Sequence, residues 1–203
     1  MECGVVDGII TDDSDVFLFG GSNIYKNLFN QNKMVELYTM DAIRSKMKLG
    51  RHELICLAYL VGSDYCYGIK GIGPVKALEI IEQWPGEGIE GLQDFTNWCK
   101  GIQCGQVDPS DNPKKAKLRK LATKLEFEQN FPNSQAYDAY INPQVDTSRI
   151  LLDFKPPNLD RIRIFLQRSL SWEPETTDKY LLPVLKQMQK PIAAQSTIDD
   201  YYH

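Results

Sequence analysis

The sequence has no Cys-x-x-Cys pair, and its cysteines are odd in number: Cys3, Cys56, Cys66, Cys99 and Cys104. That pattern argues against a disulfide framework or a zinc finger and favours a reducing compartment. No apolar run reaches membrane-spanning length, so no membrane helix is expected. Basic charge is not in excess, since 27 Asp and Glu outweigh 23 Lys and Arg for a net charge of −4. This argues against a non-specific nucleic-acid coat and leaves room for a local basic site. Only two histidines occur, His52 and His203, and no serine–histidine–acid set can be assembled around them. Internal repeats and low-complexity tracts are absent. What remains is an ordinary globular composition, 42% hydrophobic and 25% charged over 203 residues. A chain of this length can form one or two domains with a sizeable core.

Acidic residues stand out by their placement. Asp12, Asp13 and Asp15 lie between the apolar runs Val5–Ile10 and Val16–Phe19. Asp64 follows an apolar helix in Gly62-Ser63-Asp64-Tyr65. Close carboxylates repel by roughly 4 kcal/mol per pair at about 4 Å and an effective dielectric of about 20. A cation is the natural compensation, and hard oxygen donors suit magnesium or manganese. On an extended chain Asp13 and Asp15 point the same way and Asp12 points away. The plainer reading is an acidic turn in which Asp12 or Ser14 caps the backbone.

Directly after Asp64 comes Gly68-Ile69-Lys70-Gly71-Ile72-Gly73-Pro74. Its glycines leave backbone amides open to a phosphate, and Pro74 opens a helix whose N-terminus favours anions. Lys70 and Lys76 add positive charge, and carbonyl oxygens exposed by such a turn would suit potassium. A tight helix–helix turn would use the same residues.

The pattern elsewhere predicts an α/β chain. Val16–Phe19 reads as a short buried strand. Ile24–Phe29 and Met34–Tyr38 read as strands of a hairpin turning through Asn30–Lys33. Thr39 caps a helix running to about Met47, which Gly50 ends. Helices follow over Leu54–Val61, from Pro74 to near Pro85, and over Leu92–Cys99. Residues 101–113 read as a surface loop. Lys114, Lys115, Lys117 and their neighbours form a basic helix, either a solvated face or a phosphate contact. Helical spacing recurs from Phe131, around Leu159–Leu166 and around Leu181–Leu185. The expected divisions are 1–100, with the glycine turn and its helices at 62–84; 101–130; 131–190; and a tail at 191–203. Trp84, Trp98 and Trp172 read as core or groove anchors.

Taken together, Thr11-Asp12-Asp13-Ser14-Asp15, Gly62-Ser63-Asp64-Tyr65 and Gly68–Pro74, with their spacing, resemble the internal nuclease region of the XPG and flap endonuclease family. Val6–Gly20, Lys155–Asp160, Trp172 and Thr177–Lys186 are similar to the XPG branch in particular. The resemblance implies the edge of a mixed or parallel 5′-nuclease, PIN-like sheet, then a helix–two-turn–helix and a helical C-terminal portion. It implies a structure-specific DNA endonuclease of nucleotide excision repair, acting in the nucleus on junctions of double- and single-stranded DNA with two magnesium ions. Asp13, Asp15 and Asp64 match the metal-binding carboxylates. Gly68, Ile69 and Ile72 match carbonyls that hold potassium, and Lys70, Gly71, Gly73 and Lys76 match the duplex grip. The family's site also takes aspartates from an N-terminal region and a pair of glutamates upstream of Thr11, whereas Glu2 is the only acidic residue here before Asp7. The chain is therefore expected to be part of a longer nuclease and inactive alone. A non-catalytic DNA-binding and clamp-docking module is the other reading. In the tail, Gln195, Ile198, Tyr201 and Tyr202 resemble a sliding-clamp peptide, which binds as one helical turn in an apolar pocket. Other repair partners are not legible.

Overall fold

The computed structural model describes residues 4–28, 34–106, 112–146 and 155–189. The chain separates into two compact units, Met1–Ile150 and Leu151–His203.

In the first unit, a small mixed sheet and a set of helices confirm the α/β expectation. Strand β1 (Ile9–Ile10) runs parallel to β2 (Asn23–Lys26), and β2 runs antiparallel to β3 (Glu36–Thr39). Ile24 stands opposite Ile9 on one side and Tyr38 on the other, and is fully buried. The β2–β3 pairing is the expected hairpin, although its turn lies outside the described residues.

Between β1 and β2 the apolar run Val16–Phe19 departs from the expected strand. Asp15–Phe17 forms one 3₁₀ turn, and of the run only Leu18 is buried. Local hydrogen bonding decides this. The Asp13 carboxylate accepts the Asp15 N–H at 2.9 Å, and the Asp15 carbonyl accepts the Leu18 N–H at 2.9 Å. A short polar side chain that bonds its own backbone competes with a sheet ladder, and four apolar residues are too few to overrule it.

Helix α1 (Met40–Met47) begins where Thr39 accepts the Ala42 N–H at 3.1 Å. Lys48, in the left-handed region at φ 59°, ends it. Gly50 does not end α1 as expected. It opens α2 (Arg51–Val61), and its N–H donates to Glu53 at 2.8 Å. Three helices follow in α3 (Pro74–Gln83), α4 (Glu90–Gln103) and α5 (Pro113–Ala122), and α6 (Ser134–Ile141) completes the unit. Part of the expected 101–113 loop belongs to α4. Asn112 caps α5 by accepting the Lys115 N–H at 2.9 Å.

The core forms where the apolar stripes of these helices meet. Ile55, Tyr59 and Leu60 of α2, Ile80 of α3, Phe95 and Cys99 of α4, Leu118 of α5 and Tyr140 of α6 are all buried in it. Each large apolar side chain buried this way contributes about 1.5–3 kcal/mol. Trp84 packs against Phe95 and Trp98 with ring centroids 5.0 Å away in both cases, so both tryptophans anchor the core. Tyr59 adds a hydroxyl hydrogen bond to the Asn133 carbonyl, which ties α2 to the start of α6.

The second unit pairs α7 (Leu159–Leu170) with α8 (Pro174–Met188), both expected from spacing. Arg163 on α7 grips Asp178 on α8 through two bonds, at 2.7 and 2.6 Å, and also reaches Asp160 at 2.9 Å. Trp172 packs on Tyr180 with centroids 5.6 Å apart.

Candidate functional site

The three aspartates of the first acidic turn divide their work. The Asp12 carboxylate accepts the Asn27 N–H at 2.7 Å, which ties the turn to the end of β2. That is the capping role expected of Asp12, whereas Ser14 makes no side-chain cap bond. Asp13 uses one oxygen on the Asp15 N–H, and both groups are hydrogen-bonded neighbours on a turn rather than alternate residues of a strand. Asp15 is half-buried and its carboxyl is pushed above the usual carboxylate range, first by burial and then by the negative charges of Asp13 and Asp64.

Asp64 comes from a separate turn built at the end of α2. Ser63 and Cys66 exchange backbone bonds at 2.7 and 3.3 Å, which leaves Asp64 and Tyr65 as the two corner residues. Asp64 is exposed there. The Tyr65 ring beside it lies 6.5 Å from the Phe19 ring, so the two acidic turns approach each other even though 49 positions separate Asp15 from Asp64 (64 − 15).

Two residues outside the sequence expectation, Arg51 and Tyr140, hold these turns. Arg51 donates to the Leu18 carbonyl at 2.9 Å and to the Tyr140 carbonyl at 2.7 Å. Tyr140 donates its hydroxyl to Ser63 at 2.9 Å. The Tyr140 ring lies 5.2 Å from Phe19 and 4.9 Å from Tyr65. These partners are 77 and 89 positions apart in sequence, and no local signal links them. Against Phe19 and Tyr65 lies an open groove of about 700 Å³, edged by Gln135, Asp138 and Asn142.

The glycine turn follows from Asp64. Ile69 and Ile72 point inward and anchor it, with the Ile69 N–H donating to Leu60 at 2.9 Å. Gly68, at φ +74°, lies so close to the end of α2 that a Cβ would sit 2.6 Å from the Gly62 nitrogen. Gly71, at φ +91°, and Gly73 face open space, with nothing within 4 Å of a Cβ. Their backbone is therefore approachable at the start of α3. The Ile69 carbonyl accepts the Ile72 N–H at 3.0 Å, so one of its two lone pairs is already used.

The basic residues differ in their freedom. Lys70 is exposed, and Lys76 pairs with Glu79 at 2.6 Å. Lys114 pairs with Glu82 at 2.6 Å, Lys115 lies over the Trp84 ring at 4.6 Å, and Lys117 is exposed. Part of the α5 basic face is therefore committed to packing. The tail residues Gln195, Ile198, Tyr201 and Tyr202 lie outside the described residues.

In kind, Asp13, Asp15 and Asp64 fit a hard divalent cation, being oxygen donors that share one repulsive field. Among the described residues, no group of three or more His, Cys, Asp or Glu side chains closes to ligating distance. Further oxygen donors are needed to complete such a site.

Residues 1–64 match the model of the XPG I-region. The chain is 41% identical to the DNA repair protein rad13 of Schizosaccharomyces pombe over 206 residues, covering 100% of this chain and 18% of that protein. It is 40% identical over 207 residues to the DNA excision repair protein ERCC-5 homolog of Xenopus laevis, covering 99% of this chain and 17% of that protein. Its fold is similar to the solved catalytic core of Rad2 in complex with DNA substrate, with a TM-score of 0.74 and 38% identity over 90% of this chain and 58% of that one. The chain thus spans less than a fifth of the length of these curated relatives.

Proposed function

Because the chain belongs to the XPG branch of the XPG and flap endonuclease family, we propose that it forms part of the catalytic core of a structure-specific DNA repair endonuclease acting in the nucleus. The observation that carries this is the close approach of the two acidic turns, where the Phe19 and Tyr65 rings lie 6.5 Å apart, directly ahead of a glycine turn whose Gly71 and Gly73 lie open.

In this reading Asp13, Asp15 and Asp64 hold magnesium, or manganese, in their ionised form. The bound ions supply an activated water and charge stabilisation for phosphodiester hydrolysis. The carboxylates' own part is to stay deprotonated and aimed into one space, which the mutual repulsion opposes until a cation neutralises it. Three carboxylates offer too few donors for two ions, so partner carboxylates complete the site and this chain alone is expected not to cleave DNA.

Substrate is held by its backbone. The amides at Gly71 and Gly73 and the α3 N-terminus accept a phosphate, and Lys70, Lys76 and Lys117 add charge. Potassium at the carbonyls of Gly68, Ile69 and Ile72 would stiffen the same turn. The groove beside Phe19 and Tyr65 offers room for an unpaired strand next to the carboxylates. Such contacts read the junction of double- and single-stranded DNA rather than base sequence. A sliding clamp is the proposed partner of Gln195, Ile198, Tyr201 and Tyr202.

Fluorescence anisotropy with a splayed-arm DNA and a blunt duplex of equal length tests this. Tighter binding of the splayed arm, weakened by Lys70→Glu and by added salt, is expected. Equal affinity for the two DNAs would remove the junction reading.

A further inference from the structure

Among the described residues no backbone hydrogen bond joins the two acidic turns, yet the Phe19 ring of one lies 6.5 Å from the Tyr65 ring of the other, so something must fix their separation. Helix α6 is what both turns touch. Tyr140 is fully buried, and its ring contacts Phe19 from the first turn and Tyr65 from the second. Its hydroxyl donates to Ser63, the residue before Asp64, and the Ser63 hydroxyl also meets the Cys66 sulfur at 3.0 Å across the same turn. The Tyr140 carbonyl takes one arm of Arg51, whose other arm holds the Leu18 carbonyl three residues after Asp15.

We propose that Tyr140 and Arg51 are positioning residues for the metal-binding carboxylates: Arg51 fixes the turn that carries Asp13 and Asp15, Tyr140 fixes the turn that carries Asp64, and the bond between them sets the separation. The proposal rests on the metal reading given above. Two features favour this over plain core packing. A hydroxyl bond to Ser63 adds nothing to the apolar contact of the ring, but it sets the height of the Asp64 corner. Likewise a guanidinium spanning two carbonyls is a rigid fork that lysine cannot reproduce. Residues that orient ligand-bearing groups typically change metal affinity about 10–100-fold when altered.

Terbium provides the test, because it takes hard oxygen ligands and its luminescence is sensitised by a nearby tyrosine such as Tyr65. The whole chain is titrated with terbium chloride while folding is followed by circular dichroism. Parent protein is expected to show sensitised emission that Asp15→Asn and Asp64→Asn abolish. Tyr140→Phe keeps the ring and removes only the hydroxyl. It is expected to weaken terbium binding about tenfold or more, as is Ser63→Ala, and the double variant is expected to be no weaker than either alone. Arg51→Lys is expected to weaken binding likewise. As a control, Phe95→Leu in the α4 core should lower the melting temperature and leave terbium affinity unchanged.

Tyr140→Phe and Arg51→Lys binding terbium like the parent, while Asp15→Asn does not, would overturn the positioning role and leave the metal reading standing. Binding reduced equally by Phe95→Leu would reduce the role to general stability and overturn it too. Emission that persists in both aspartate variants would overturn the metal reading and the positioning role together.

Discussion

Replacing Gly68 with alanine tests the glycine turn most sharply. At φ +74° an L-residue is strained, which costs roughly 1–2 kcal/mol. The added Cβ would also lie 2.6 Å from the Gly62 nitrogen and the Val61 carbonyl carbon, and 2.8 Å from the Val61 oxygen. All three are backbone atoms at the end of α2, so no side chain can swing away. Relieving such overpacking costs about 1–3 kcal/mol more. The sum, about 2–5 kcal/mol, corresponds to a melting temperature lower by roughly 4–20 °C for a chain of this size. Gly71→Ala carries only the strain at φ +91°, because a Cβ there meets nothing within 4 Å. Gly73→Ala carries neither, since its φ is −101° and its surroundings are open. Thermal melts followed by circular dichroism should therefore rank stability as Gly73→Ala above Gly71→Ala above Gly68→Ala. Anisotropy with duplex DNA should show a different order, in which Gly71→Ala and Gly73→Ala lose affinity out of proportion to their stability, because each fills the space a phosphate would enter. An unchanged melt for Gly68→Ala would refute the close approach of this turn to α2.

Other outcomes follow from the same geometry. Asp12→Ala removes the bond to Asn27 and should cost about 1 kcal/mol in a denaturant melt, with terbium affinity retained, in contrast to Asp15→Asn. Asp15 has a raised pKa, so the folded state holds its proton more tightly than the unfolded chain does. Stability from this residue is highest below pH 3.8 and falls as pH rises toward the folded value. Asp15→Asn should accordingly stabilise the protein at neutral pH in melts without divalent ions, and the gain should vanish in acid. Asp178 is the opposite case: its hydrogen bonds to Arg163 hold its pKa down, so its contribution is present above pH 3.8 and lost as pH falls through the folded value. Asp178→Asn should flatten that acid limb. Lys115→Ala should cost about 0.5–1 kcal/mol through the lost contact with Trp84, whereas Lys117→Glu should leave the melt alone and reduce the salt slope of DNA binding by about 1.

Much of this was legible because local chemistry decided it. Thr39 caps α1 and Pro74 opens α3 through interactions within one helical turn, so residue type sufficed. The turn that carries Asp64 and the glycine turn after it were also readable, since turns advertise their glycines and acids. The strand expected at Val16–Phe19 failed because hydrogen bonds within the Asp13–Leu18 segment outweighed its apolar run. Gly50 was misassigned because Lys48 took the left-handed position first. Arg51 and Tyr140 left no trace in the sequence, and Ser63 was legible only as part of the Gly62–Tyr65 motif. Their role exists only after α6 folds back on α2, and nothing local to a tyrosine in an ordinary amphipathic helix reports a partner 77 positions away.

Aspartates from two turns are proposed here to form part of a nuclease metal site. The most direct test is magnesium-dependent cleavage of a labelled splayed-arm DNA by this chain mixed with a separately expressed N-terminal region of an XPG-type nuclease. Cutting by the mixture, none by this chain alone, and loss of cutting with Asp64→Ala are expected. Undiminished cutting by a mixture in which Asp13, Asp15 and Asp64 are all alanine would contradict the proposal.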